Sequence, residues 1–114
     1  MGEELIVALV TVTDAATGVE LGRQLVEEGL AACVQVIPGG TAIYRWAGEI
    51  HVDPQTQLLI KSTRGRWDEL RDRVVALHAD EVPEILALPV VEGLPAYLAW
   101  AAEATSPENS RPAL

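Results

Sequence analysis

Residues 5–12 read Leu5-Ile6-Val7-Ala8-Leu9-Val10-Thr11-Val12, a run with no charge and many β-branched residues. A continuous apolar run of this length, rather than an alternating one, is the pattern of a strand covered on both faces. It therefore belongs in the middle of a sheet, and the rest of the chain is read outward from it. Thr13 and Asp14 follow as N-caps. Ala15, Val19, Gly22 and Val26 then fall on one helical stripe, with Glu20, Arg23, Gln24 and Glu27 turned outward, and Gly29 closes the helix as a left-handed C-cap.

Leu30–Ile37 is apolar again, broken at Pro38-Gly39-Gly40 and resumed at Thr41–Trp46, which predicts one long second strand with a bulge or bend. Gly48-Glu49 is expected to turn the chain into Ile50-His51-Val52, and Gln57–Thr63 completes a third strand. So short a connection makes strands two and three antiparallel. Trp67, Leu70, Val74 and Leu77 recur at helical spacing in a second helix that ends near His78. Pro83–Pro89 predicts an edge strand and Ala96–Ala104 a short last helix.

Strand–helix–strand thus occurs twice, joined by a hairpin. This is an α+β protein with a ferredoxin-like βαββαβ sandwich, an extended hairpin and a short C-terminal helix. Residues 1–104 form one domain, and 105–114, which lack periodicity, read as a mobile tail. Two crossovers of one hand place both helices on one sheet face, so the other face needs a cover, and association of subunits is the natural one.

With 114 residues the chain is long enough for one core and short of two. Its formal net charge of −9 opposes nucleic-acid phosphates and anionic membranes and favours cations or basic partners. The single cysteine, Cys33, excludes an intrachain disulfide and reads as a small buried hydrophobe. No secretory signal or spanning segment is visible, so the expected location is the cytoplasm.

No phosphate loop, nucleophile elbow, zinc-protease motif or paired CxxC is present, and the chain reads as a binding protein rather than an enzyme. The first candidate site is His78 with Asp80, Glu81 and Glu84, an imidazole and three carboxylates within a short loop that could hold a divalent ion. The alternative is that His78 complements the helix C-terminus while the acids face water. The second candidate is Tyr44 and Trp46 on one face of a strand, an ordinary cross-strand pair or a pocket wall. Lys61, a lone cation after Leu58-Leu59-Ile60, either snorkels or offers its charge to an anionic ligand.

Several segments taken together, Glu28–Val34, Ile37-Pro38-Gly39, Ile43–Glu49, Ile60-Lys61-Ser62-Thr63, Leu77-His78, Val82–Ile85, Leu88-Pro89 and Tyr97–Trp100, resemble the CutA family of divalent-cation tolerance proteins, in order and at similar spacing. The resemblance implies a tight homotrimer built like the PII-like regulators, with long hairpins pairing across subunits. It also implies a role in tolerance of copper and other divalent cations, with no established reaction. Where copper-binding members carry a cysteine in the first strand and a histidine pair after the second helix, this chain has Val10 and Leu77-His78. The common His-Pro-Tyr of the family stands here as His78-Ala79-Asp80.

The leading expectation is a trimer that contacts Cu(II) or another divalent cation weakly around His78, Asp80, Glu81 and Glu84. One rival is a PII-like sensor holding a small anion in an intersubunit cleft lined by Tyr44, Trp46 and Lys61. Another is a trimeric scaffold with no ligand.

Overall fold

The computed structural model describes residues 4–109. Its elements are β1 (Leu5–Val12), α1 (Ala15–Glu27), β2 (Cys33–Trp46), β3 (Glu49–Thr63), α2 (Trp67–Leu77), β4 (Ile85–Pro89) and α3 (Pro95–Ala104), with short 3-10 turns before α2 and after α3. The strands form one antiparallel sheet in the order β2-β3-β1-β4, the ferredoxin-like arrangement, and the uncharged β1 lies inside it as its composition requires. No helix among the described residues is long and apolar enough to cross a membrane.

Both ends of α1 are held by local chemistry. The Asp14 carboxylate accepts the Thr17 N–H at 2.8 Å, and at the other end Gly29, with φ of 73°, closes a Schellman motif: Gly29 N–H donates to Val26 O and Leu30 N–H to Leu25 O. The motif draws Leu30 and Ala31 into the helix end, so β2 begins at Cys33 rather than Leu30. The bond from Thr17 holds the Asp14 carboxyl below its usual pKa. A depressed folded-state pKa means stabilisation that is present above the unfolded value and lost as pH falls through the folded one. Asp14→Ala is therefore expected to lower the melting temperature at neutral pH and to change it less once both proteins are well below the carboxylate range; an equal loss at both pH values would refute the cap's role.

The inward face of α1 differs from the expected stripe. Gly18, Leu21, Gly22 and Leu25 are buried, while Val19 is 52% and Val26 43% exposed. The glycines decide this. A Cβ on Gly22 would lie 2.8 Å from a Val34 methyl and one on Gly18 2.9 Å from Leu58 Cδ2, so only bare backbone lets the helix sit this close to the sheet. Leu21 and Leu25 then reach into the core beside them. Together with Leu70 and Val74 of α2 they cover Ala8, Val10, Val12, Leu58 and Ile60.

The β2–β3 hairpin turns on Ala47 and Gly48, with φ of 54° and 82°, closed by the pair Trp46 and Glu49. A two-residue turn with both central residues at positive φ matches the strand twist, which moves the turn one residue earlier than Gly48-Glu49. The bulge falls between Ile37 and Gly40. β3 is continuous through Asp53-Pro54, and β4 begins at Ile85 rather than Pro83.

Residues paired across an antiparallel sheet share a face. By that register Val7, Lys61, Cys33 and Leu88 lie together on the face away from α1 and α2, as do Leu9, Leu59, Gln35 and Leu86. α3 covers one end of this face, packing Ala101 and Leu98 on Leu5, Ala32 and Val90. Leu86 and Leu88 stay 53% and 50% exposed, and Cys33 is half-buried rather than enclosed. Of the tail expected from Thr105, Thr105 itself is buried and donates its hydroxyl to Ala101 O at 2.9 Å; residues 110–114 lie outside the described residues.

Candidate functional site: an acidic cleft beside the hairpin

His78 ends α2, its N–H bonded to Val74 O. β1 loses its β4 partner beyond Val10, and the His78 ring moves into the gap: Nε2 lies 2.7 Å from Thr11 O, and Nδ1 lies 3.0 Å from Asp80 N. A carbonyl oxygen only accepts and an amide N–H only donates. Nε2 therefore carries the proton and Nδ1 the engaged lone pair, a neutral ring 4% exposed. This is a structural clamp that ties the loop after α2 to the end of β1. Both ring nitrogens are spent.

A cleft of about 600 Å³ is lined by Asp80, Glu81 and Glu84 of the clamped loop, by Tyr44 and Trp46 of the hairpin, and by Thr11 and Gln55. Strand register places both aromatics on the face that His51 and Asp53 share. The Tyr44 ring stacks on His51 with centroids 5.2 Å apart, and its hydroxyl donates to Asp53 Oδ2 at 2.6 Å. That bond, with the carboxylate's charge, raises the phenol pKa and fixes the ring. Among the described residues no lysine or arginine lines the cleft.

Asp80, Glu81 and Glu84 thus come together with Tyr44 and Trp46, and His78 lies behind them as their support. Lys61 is elsewhere within the chain, on the open sheet face between Val7 and Cys33. His51 and Asp53 set the pose of Tyr44, a role that the sequence alone does not give them, because the turn register decides which hairpin residues stand opposite one another. Among the described residues no three His, Cys, Asp or Glu side chains converge as a metal-holding group. A resident metal ligated by His78 does not fit this arrangement. The cleft offers hard carboxylate oxygens, which suit hydrated or oxygen-ligated cations, not the nitrogen and sulfur donors of a tight copper site.

Fold and cleft together define a class: ferredoxin-like α+β proteins whose hairpin borders an acidic, aromatic-walled cleft. Comparison with known proteins makes this specific. Residues 6–104 match the family model described as CutA1 divalent ion tolerance protein, and the chain belongs to that family. It is 48% identical over 99 residues to the divalent-cation tolerance protein CutA of Thermus thermophilus, covering 87% of this chain and 96% of that one. Against the chloroplastic protein CutA of Arabidopsis thaliana it is 38% identical over 100 residues, spanning 88% of this chain but only 55% of that protein. Among solved structures, that of the divalent cation tolerance protein from Thermus thermophilus superposes with a TM-score of 0.87 at 46% identity, covering 90% and 99% of the two chains. The CutA1 crystal structure from Oryza sativa gives 0.89 at 36%, covering 92% and 96%. The family's name describes tolerance of divalent ions and specifies no reaction.

Proposed function

We propose that this chain works in the cytoplasm as a homotrimeric, non-enzymatic divalent-cation tolerance protein that meets its cations weakly at the acidic cleft, through Asp80, Glu81 and Glu84. The observation that carries the reading is the cleft's charge: among the described residues, three carboxylates and no lysine or arginine line it. Because no three of these side chains converge, a divalent ion there keeps most of its water and meets the carboxylates singly or through that water, with no need of a histidine. Cu(II) enters on the same oxygen donors as other divalent ions, favoured only by the general order in which copper exceeds zinc and manganese at any such site.

The trimer is supported by the surface left over. Leu86 and Leu88 on the open sheet face, and Ile43, Ile50 and Val52 on the hairpin, are each at least half exposed. Apolar surface of this extent normally meets a partner, and a closed ring of copies hides it without open edges.

Calorimetric titration with Mn(II), Zn(II) and Cu(II), on samples whose mass is read by light scattering, tests both parts. The wild type is expected to bind all three weakly as a trimer, and a variant carrying Asp80→Asn, Glu81→Gln and Glu84→Gln to lose that binding while remaining trimeric. Unchanged affinity in the variant would end the cleft assignment, and a monomeric mass would end the trimer.

A further inference from the structure

We propose that the cavity between the start of α1 and the end of α2 is a second ligand site, shaped for a small organic cation: an aliphatic or aromatic body carrying an ammonium group. The cavity holds about 420 Å³, within the range of small-molecule sites. Its walls include Ala16 and Leu21 of α1 and Leu77 of α2. Leu77 continues the stripe of Leu70 and Val74, which are wholly buried, yet it stays 36% exposed because α2 opens onto this space instead of core. An apolar body laid against these residues removes that surface from water.

Charge chooses the rest of the ligand. The ionised groups in the lining are Glu20 and Asp80, and among the described residues no lysine or arginine joins them. His78 also lines it, but its ring nitrogens are bonded to Thr11 O and Asp80 N. An anion meets repulsion there and a neutral molecule leaves the carboxylates unused, whereas an ammonium answers both.

The site is separate from the acidic cleft. The two cavities share Asp80 alone among their lining residues. This one lies on the helix-covered side of the sheet, so a trimer closed over the open face leaves it accessible, and the inference stands whether or not the cation reading of the cleft does.

The test is titration of the full chain with n-hexylammonium, followed by amide chemical shifts, with n-hexanol and hexanoate as neutral and anionic controls. Hexylammonium is expected to bind saturably and shift Ala16, Glu20 and Ala79, more tightly than hexanol, with no binding of hexanoate. Glu20→Gln should weaken hexylammonium about threefold, as expected for one exposed charge pair. Ala16→Leu, on the exposed side of α1, should fill the space and abolish binding; Glu81→Gln with Glu84→Gln should leave it unchanged. Should Ala16→Leu fail to fold, the Glu20 variant and the two controls decide alone. Binding of hexanoate, equal binding of hexanol, or wild-type affinity in a folded Ala16→Leu protein would overturn the proposal.

Discussion

Replacing Leu58 with alanine is expected to cost about 3–5 kcal/mol of folding stability, near the upper end for a buried leucine. Leu58 is fully buried on β3, paired in register with Val10 on one side and Val36 on the other. The size of the loss depends on whether the surroundings can collapse into the space. Here they cannot easily do so, because two flanking strands hold the walls and the roof is the α1 backbone, where a Cβ on Gly18 would already come within 2.9 Å of Leu58 Cδ2. Urea unfolding with the slope unchanged is the measurement. A loss below about 1 kcal/mol would mean that α1 settles onto the sheet and that the glycine contact is not rigid. Leu86→Ala, on the open face, is a useful contrast: in the isolated chain it removes only half-exposed area. A loss that depends on protein concentration would place that leucine in a subunit contact.

His78→Ala should be the second large effect, about 2–4 kcal/mol, from two hydrogen bonds left unmade and a buried ring removed. Thr11 O and Asp80 N–H lose their partners together, and the loop carrying Asp80, Glu81 and Glu84 loses its tie to β1. His78→Gln, which can still donate to Thr11 O, should recover part of the loss. If His78→Ala unfolds like the wild type but no longer binds divalent cations, the ring is a ligand and not a clamp, and the assignment here is wrong.

These two positions also show how far a linear reading reaches. Leu58 sits in the apolar stretch Leu58-Leu59-Ile60, so a strand that enters the core is legible there, but register decides that Leu58 and Ile60 are buried and Leu59 is not. His78 is legible as the end of a helix beside acids, and both readings open to it, ligand or helix-end partner, rest on the same neighbours in sequence. What separates them is Thr11, sixty-seven residues away, whose carbonyl is open only because β4 stops at Ile85. A sequence does not state where a neighbouring strand stops in space.

Tyr44 and Trp46 are legible as a pair on one strand face, but their partners are not. The turn falls on Ala47-Gly48 instead of Gly48-Glu49, and each one-residue step in register exchanges the faces of a strand. Chemistry alone groups Lys61 with them; register gives it the same sheet face, but the pairing with Val7 and Cys33 puts it at the other end of β3, away from the cleft. The stripe of α1 is displaced for a related reason. Periodicity marks which residues share a side of a helix, and with Val19, Val26, Leu21 and Leu25 all available it offers two sides. Close approach at Gly18 and Gly22 chooses between them.

The sequence by itself determined the βαββαβ order, the buried central strand, the long bulged hairpin, the acidic character and the family, because apolar period, turn residues and charge are local properties that survive without knowledge of contacts. Only the tertiary structure decided which face of α1 is inside, that α3 closes one end of the open sheet, that His78 is a clamp, and that Asp80, Glu81 and Glu84 line one cleft with Tyr44. Each of these depends on strand register and on where chain segments far apart in sequence come into contact, and those are set by packing of the whole domain.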